Sequence, residues 1–239
     1  MSATIVLGYA LALTKDVLRP PAKDDVTTTI RRVDPTFTEF AYCVGREAGL
    51  KDDELYCRAA ALLLQYAAIQ LADDLADGDC HYLPSAARVG PGAQWLLAHL
   101  FTLMLQRTTV PAATVVAASR DFVSVGEGQQ DEVRTEAWRL SSVIAAAERL
   151  NGAQYRAHLS LLLANTPFAP WAEQHAGDFG FALHVVGDRT HGDARWSTLT
   201  IEEKSQLASL AAARARLAMP SGLETIERQL RLFEHILKA

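Results

Sequence analysis

The stretch AAALLLQYAAIQLADDLADGD, residues 59–79, decides how this chain is interpreted. Its alanine and leucine content strongly favours a helix, and Gly78 is a typical helix stop signal. Asp73, Asp74 and Asp77 therefore lie at the end of an apolar helix. A helix C-terminus carries partial negative charge, so each acid there costs roughly 0.3–1 kcal/mol. Another group must compensate for that cost.

The spacing of these acids indicates a metal ion as the compensating group. Asp73 and Asp77 are four residues apart, so their carboxylates share one face of the helix. Mg²⁺ prefers oxygen ligands and commonly binds through one or two carboxylates together with substrate phosphates. The alternative interpretation is a solvated helix end whose acids face water.

The rest of the chain predicts one all-α domain covering residues 1–239. The 239 residues are 49% apolar, which is enough for one sizeable core. Helical spacing recurs almost throughout, and β-branched alternation is scarce. We expect helices at residues 3–18, 36–48, 52–77, 90–107, 112–131, 135–149, 152–164, 168–188, 201–217 and 222–238. We expect loops at 19–34, 78–92 and 189–199, and capping boxes at 200–203 and 221–224.

Composition excludes several classes of function. The net charge is −5 with no run of Lys or Arg, so nucleic-acid binding has little support. Cys43, Cys57 and Cys80 are odd in number and not at metal spacing, as expected for reduced thiols in a cytoplasmic protein. The apolar stretch at residues 5–13 lacks a positive flank and is too short to cross a bilayer. We expect it to be a first helix on the core, and we expect no transmembrane segment.

A second acidic feature ends another apolar helix. In SVGEGQQDEVR, residues 124–134, Glu127 and Asp131 are again four residues apart. Two glycines in a helix interior each cost about 1 kcal/mol relative to alanine. Glycine is useful where another backbone or a ligand must come close. The alternative is a frayed, polar helix end.

A third feature is HVVGDRTHGD, residues 184–193, which follows an apolar helix. Asp188 and Asp193 flank Arg189 and His191. An acidic loop that contains histidine can bind a metal ion, and the alternative is an exposed loop without such a role.

In this order, the three features resemble the trans-prenyltransferases (polyprenyl synthetases), which have the class I isoprenoid synthase fold. DDLAD at 73–77 matches the family's first aspartate-rich motif, DDxxD. GEGQQ at 126–130 resembles its Gly-Glu-x-x-Gln stretch. FGFALHVVGDRTH at 179–191 resembles the stretch that holds its second aspartate-rich motif. The resemblance spans roughly residues 30–193.

The resemblance implies an all-α bundle around a central apolar cavity, with Mg²⁺ as the cofactor at the cavity mouth. The metal would bind a prenyl (allylic) diphosphate and draw off pyrophosphate, and the carbocation would react inside the cavity. The implied metal ligands are Asp73, Asp77 and Asp188, and the implied catalytic residues are Asp73, Asp74, Asp77 and Gln130. The implied substrate-binding residues are Arg31, Arg32, Tyr66, Glu127 and His184. Asp73 and Glu127 would share the cavity mouth, and the protein would form a homodimer.

The sequence departs from the family at the second aspartate-rich motif. The family has DDxxD there, whereas residues 187–191 are GDRTH and keep one aspartate, Asp188. Asp193 is a substitute at a different spacing. His184 stands where the family usually has Gln.

Other departures concern isopentenyl diphosphate, the family's second substrate. The family binds isopentenyl diphosphate with the motif Gly-Lys-Arg-x-Arg-Pro. Here IRRVDP at 30–35 has Asp34 in place of the Arg before Pro. The Arg pair that follows the first motif is missing from residues 80–85. The Lys-Thr pair expected near residue 151 is Asn151-Gly152. The isopentenyl diphosphate site is therefore mostly gone.

These observations leave two main hypotheses open. One is a Mg²⁺-dependent class I enzyme that ionises a prenyl diphosphate, either as a diverged prenyltransferase or as a terpene-cyclase-like enzyme. The other is a non-catalytic homologue that forms a hetero-oligomer with an active prenyltransferase and regulates it, or binds an apolar ligand. An unrelated helical protein with chance acidic motifs is a third. The position of residues 187–193 distinguishes the enzyme from the non-catalytic homologue, because an enzyme needs Asp188 or Asp193 to face Asp73.

Overall fold

The structure is a computed structural model that describes residues 2–238, with the side chain of residue 2 excluded. Within that range the chain is helical and has no strand. The predicted all-α class is confirmed. The chain divides into two compact units, which we call unit 1 (Met1–Val110) and unit 2 (Pro111–Ala239). The prediction of one domain over residues 1–239 stays a prediction.

Unit 1 is organised around its fourth helix. Its helices are α1 (Ser2–Val17), α2 (Ala22–Arg32), α3 (Pro35–Glu47), α4 (Asp52–Asp77) and α5 (Ala86–Leu105). All four other helices pack on α4. Small side chains such as those of Ala60, Ala61 and Ala67 are fully buried, so neighbouring helices approach closely. The bounds of α4 agree with the sequence prediction.

Helix α4 is also the one described helix that is long and apolar enough to cross a membrane by length and composition. About two thirds of its most apolar window, 67%, is buried inside the protein. A core helix has the same composition, so this feature is weak support for a membrane span. The expectation of no transmembrane segment stays a prediction.

Unit 2 is organised around α9. Its helices are α6 (Ala112–Arg134), α7 (Leu140–Ala147), α8 (Ala153–Leu163), α9 (Ala169–His191), α10 (Ala194–Ser197), α11 (Ile201–Leu217) and α12 (Glu224–Lys238). A π-helical segment, Glu148–Gly152, joins α7 to α8. Helices α8, α11 and α12 pack on α9, and so does the π-helical segment.

The contact between α9 and the π-helical segment depends on a glycine. A Cβ atom added at Gly180 would lie 2.1 Å from the carbonyl oxygen of Asn151. Real Cβ atoms do not approach other atoms that closely, so only glycine permits this backbone-to-backbone contact. Asn151 stands where the family resemblance places a lysine, and here its backbone forms part of a helix packing contact.

Two helices fall in stretches that the sequence predicts to be loops. Helix α2 occupies most of 19–34, with Asp24 and Asp25 in its first turn and two arginines in its last, an arrangement that suits the helix dipole. The prolines at 20 and 21 led to the loop prediction. Helix α10 lies in 189–199, where the Asp193 side chain accepts a hydrogen bond from the Arg195 backbone N–H.

One predicted capping box is confirmed and one is wrong. Thr200 and Glu203 exchange side-chain-to-backbone hydrogen bonds of 3.2 and 2.9 Å at the start of α11. The box expected at 221–224 is replaced by a different contact, in which the N–H of Gly222 donates to Glu227 Oε1 at 3.0 Å.

Candidate functional site

The acids of the first motif lie in the last turns of α4, as predicted. The side chains of Asp73 and Asp77 are exposed, and that of Asp74 is half-buried. The helix stops at Gly78, whose φ of 78° lies in the left-handed region that glycine adopts readily. The N–H groups of Gly78, Asp79 and Cys80 all point to the carbonyl oxygen of Asp74. This cap fixes the backbone beneath the acids.

A tyrosine that the sequence analysis did not single out holds Asp74 in place. Tyr82 Oη donates a hydrogen bond to Asp74 Oδ2 at 2.7 Å. Burial and this hydrogen bond raise the pKa of Tyr82, so the phenol stays protonated and keeps donating. The guanidinium of Arg32 lies 5.3 Å from the centre of the Tyr82 ring. Arg32, a predicted substrate-binding residue, is thereby joined to the acidic helix end through Tyr82.

Tyr66, another predicted substrate-binding residue, lies near the same helix end. Its ring stacks on Phe37 with the ring centres 4.1 Å apart. Burial raises the pKa of Tyr66, and the charges of Asp34 and Asp73 raise it further. The electrostatic influence of both acids places Tyr66 close to each of them.

Asp34, the residue that replaces a family arginine, has a structural role. It is the N-cap of α3, and its side chain accepts a hydrogen bond from the N–H of Thr36 at 2.8 Å. An N-cap aspartate typically stabilises a helix by about 1 kcal/mol. Arg31 is exposed in the last turn of α2. The structure therefore leaves arginines at one end of α2 and an acid at the start of α3.

The end of α4 fits Mg²⁺. Two exposed carboxylates on one helix face can hold the ion while water and phosphate oxygens supply its other ligands. Among the described residues, no group of three or more His, Cys, Asp or Glu side chains is arranged to hold a metal. A site at Asp73 and Asp77 therefore needs ligands from a substrate.

The second motif of unit 2 is organised differently. Asp188 lies in the penultimate turn of α9, with a side chain only 5% exposed. Arg195 Nη2 lies 3.2 Å from Asp188 Oδ1 and 3.1 Å from Asp193 Oδ2, and Arg195 Nη1 pairs with Glu132 Oε1. We call these four residues the Arg195 cluster. One guanidinium thus sits among three carboxylates that come from α6, α9 and the start of α10.

The histidine of this motif is buried beside the cluster. His184 Nε2 lies 3.5 Å from Asp188 Oδ2. Burial, together with the charge of Arg195, lowers the pKa of His184 to about 3. Burial raises the pKa of Asp188 to about 7, with the charge of Arg195 opposing the rise. His184 is therefore neutral near pH 7, and the buried surroundings of Asp188 disfavour its ionised form.

The Arg195 cluster does not fit Mg²⁺. One guanidinium already pairs with all three carboxylates, and a metal ion would have to displace it from a position where its side chain is 14% exposed. The prediction that Asp188 is a metal ligand does not agree with this arrangement. Residues 187–191 are also helical, whereas the sequence predicts a loop from 189 onwards.

The Gly-Glu-x-x-Gln stretch lies in α6. Glu127 and Gln130 are exposed there, and Asp131 pairs with Arg149. A Cβ at Gly128 would lie 3.0 Å from Arg149 Cβ, whereas a Cβ at Gly126 would meet no described atom within 4 Å. Gly128 therefore serves the packing of α6 on the π-helical segment. The shared cavity mouth of Asp73 and Glu127 stays a prediction.

Acid sensitivity is expected from another buried histidine, His158 of α8. Burial lowers its pKa to about 3, so the unfolded chain takes up a proton below pH 6.5 that the folded protein refuses. His158 does not affect the free energy of unfolding above pH 6.5. It lowers that free energy progressively as the pH falls from 6.5 toward 3. Between pH 6 and 4, wild type should lose about 1.4 kcal/mol per pH unit more than His158→Leu. Urea unfolding at several pH values measures the difference, and equal pH slopes would refute it.

Comparisons of the sequence give no relatives. No family model matches the sequence, and no curated protein matches it either.

Comparisons of the structure do give relatives. An isoprenoid synthase family member from Thermotoga neapolitana has a TM-score of 0.74 at 18% identity, covering 98% of this chain and 99% of that one. A geranyltranstransferase from Thermotoga maritima has a TM-score of 0.68 at 14% identity, covering 100% and 98%. A heterotetrameric geranyl pyrophosphate synthase from mint has a TM-score of 0.64 at 13% identity, covering 93% and 99%. The predicted isoprenoid synthase fold is confirmed.

Proposed function

We propose that this chain, which has the isoprenoid synthase fold, is a Mg²⁺-dependent class I isoprenoid enzyme that ionises a prenyl diphosphate. The observation that carries the proposal is the pair of exposed carboxylates, Asp73 and Asp77, on one face at the end of α4. Similarity of the fold to a geranyltranstransferase and to a geranylgeranyl pyrophosphate synthetase supports the substrate class.

The residues of unit 1 have distinct roles in this proposal. Asp73 and Asp77 hold Mg²⁺, which supplies Lewis-acid stabilisation of the diphosphate leaving group. Tyr82 keeps Asp74 in a fixed orientation beside them. Arg31 and Arg32 add positive charge for the diphosphate. The allylic C–O bond breaks with its electron pair on the diphosphate oxygen, and the allylic cation is captured by water or loses a proton.

We expect little or no chain elongation. Elongation needs a second basic site for isopentenyl diphosphate, and several family cations of that site are replaced here. Each charge-assisted contact contributes roughly 1.5–3 kcal/mol, so the loss of several should lower affinity by orders of magnitude. The Asp34 side chain caps the N-terminus of α3 and places a negative charge near the remaining arginines.

The test is incubation with C10, C15 and C20 allylic diphosphates and Mg²⁺, with and without isopentenyl diphosphate. We expect pyrophosphate release that does not depend on isopentenyl diphosphate, together with alcohol or hydrocarbon products. Efficient formation of a longer prenyl diphosphate would show that other basic residues, such as Arg88, rebuild the second site. Asp73→Ala is the control that should abolish pyrophosphate release.

A second function, a non-catalytic regulatory subunit, is favoured by the Arg195 cluster. Arg195 pairs with Asp188 and so takes the place beside this carboxylate that a metal ion would occupy. One structural neighbour is a heterotetrameric prenyl synthase. In this version the chain pairs with an active prenyltransferase and changes its product length. Absence of pyrophosphate release by the chain alone, with altered product length on co-expression, would favour this version over the enzyme.

We propose a homodimer as the state of the isolated chain and the cytoplasm as its location. Helix α5 supports self-association, since Trp95 is 62% exposed and Leu103, two turns later on the same face, is 38% exposed. Sedimentation equilibrium tests the dimer, and Trp95→Ser should shift the chain toward monomer.

A further inference from the structure

A pocket of about 480 Å³ in unit 2 is lined by an excess of positively charged side chains. Four of its lining residues are cations: Arg189, Lys204, Arg216 and Lys238. Among the described residues that line it, none is acidic. The chain as a whole has a net charge of −5, so this concentration of cations is contrary to the overall charge.

The partners of these cations leave much of their charge uncompensated. Arg216 and Lys238 share one carboxylate, Glu234, at 3.9 and 3.3 Å. Arg189 Nη1 donates to the Leu237 carbonyl at 3.2 Å, so it satisfies the C-terminal end of α12. These contacts bring the three cations together at one end of the pocket. One carboxylate and the partial negative charge of a helix C-terminus offset about half of the charge of these three cations.

The fourth cation and an apolar floor complete the pocket. Lys204 and Arg216 are the two ends of a row of residues at four-residue spacing on α11, about 18 Å apart along the helix. Ala208 and Ala212 lie between them at four-residue spacing and leave room for a ligand. The Trp196 ring lies 5.7 Å from the Arg189 guanidinium carbon and provides an aromatic wall. The volume is within the range of roughly 300–1,000 Å³ that small-molecule sites occupy.

We propose that this pocket binds a diphosphate-bearing ligand without a metal ion. The convergent cations Arg189, Arg216 and Lys238 hold the diphosphate, because charge-assisted hydrogen bonds to phosphate oxygens are among the strong ones. The alanine floor and Trp196 contact an organic group attached to it. No lining residue that the structure describes belongs to the Mg²⁺ site proposed at the end of α4.

The test uses inorganic pyrophosphate and geranyl diphosphate in EDTA, where the acids at the end of α4 have no metal to hold. Calorimetry should detect binding of both, and geranyl diphosphate should bind more tightly because the alanine floor and Trp196 contact its organic group. The double variant Arg216→Gln/Lys238→Gln should weaken binding roughly tenfold or more. Glu234→Gln removes the shared carboxylate and should tighten binding about threefold.

Matched controls separate this site from general electrostatics and from the proposed function. Arg120→Gln/Arg228→Gln removes the same charge from exposed positions outside the pocket and should leave binding unchanged. Asp73→Asn should also leave binding in EDTA unchanged while it abolishes Mg²⁺-dependent binding. The proposal is overturned if wild type binds neither probe in EDTA, or if both double variants weaken binding equally.

Discussion

Gly180→Ala is expected to destabilise the protein by at least about 3 kcal/mol, or to prevent folding, because overpacking against backbone cannot relax by a rotamer change. The added Cβ would lie 2.1 Å from the Asn151 carbonyl oxygen and 2.9 Å from Tyr155 Cβ. Separation of α9 from the π-helical segment is the only relief. Urea or thermal unfolding of the purified variant measures the loss.

Gly187→Ala is the matched control in the same helix. A Cβ there would meet no described atom within 4 Å, so the change should stabilise the helix by about 0.5–1 kcal/mol. If Gly180→Ala is as stable as Gly187→Ala, the close contact between α9 and the π-helical segment is wrong.

The second large effect is expected at Arg195. Arg195→Met should cost about 3–5 kcal/mol, because removing one partner of a buried ion pair leaves an uncompensated charge. The side chain of Asp188 is 5% exposed and cannot turn to water, and Glu132 and Asp193 lose the same partner. Urea unfolding at neutral pH measures the change.

Two further variants show whether the burial of charge is the cause. Arg195→Met/Asp188→Asn should recover more than 1 kcal/mol of the loss, because the coupled pair is removed together. Arg149→Met breaks the exposed pair with Asp131, whose side chains are 49% and 58% exposed, and should cost less than about 1 kcal/mol. Equal losses for the two arginines would contradict a buried cluster.

The helical fold was predictable because its signals are local. Helix α4 is bounded by Lys51 and Gly78, and its interior has no residue that opposes a helix, so the predicted bounds agree with the structure. The start of helix α11 is also marked by a local signal, the capping box formed by Thr200 and Glu203. Helix α2 was missed because its prolines precede a helix instead of interrupting one. The π-helical segment was missed because it depends on contact with Gly180, far along the chain.

The site was predictable only in part, because only its local contacts leave a pattern in the sequence. The acids at the end of α4 are found from spacing alone. Tyr82 is eight residues from Asp74, and no periodicity connects a loop tyrosine to a helix end. Arg195 and Glu132 are 63 residues apart, so the contact that joins α6 to the Arg195 cluster arises from tertiary packing. The sequence therefore predicts metal ligands in both motifs, whereas the structure pairs the acid of the second motif, Asp188, with Arg195.

Calorimetry with Mg²⁺ and pyrophosphate distinguishes the two motifs, because we propose that Asp73 holds the ion and that Asp188 does not. The quantity of interest is the binding gained in Mg²⁺ relative to EDTA, for wild type, Asp73→Asn and Asp188→Asn, each checked for folding by circular dichroism. We predict that Asp73→Asn loses the Mg²⁺-dependent binding and that Asp188→Asn retains it within about threefold, a difference below 0.7 kcal/mol. Loss of that binding in Asp188→Asn, with retention in Asp73→Asn, would contradict the account.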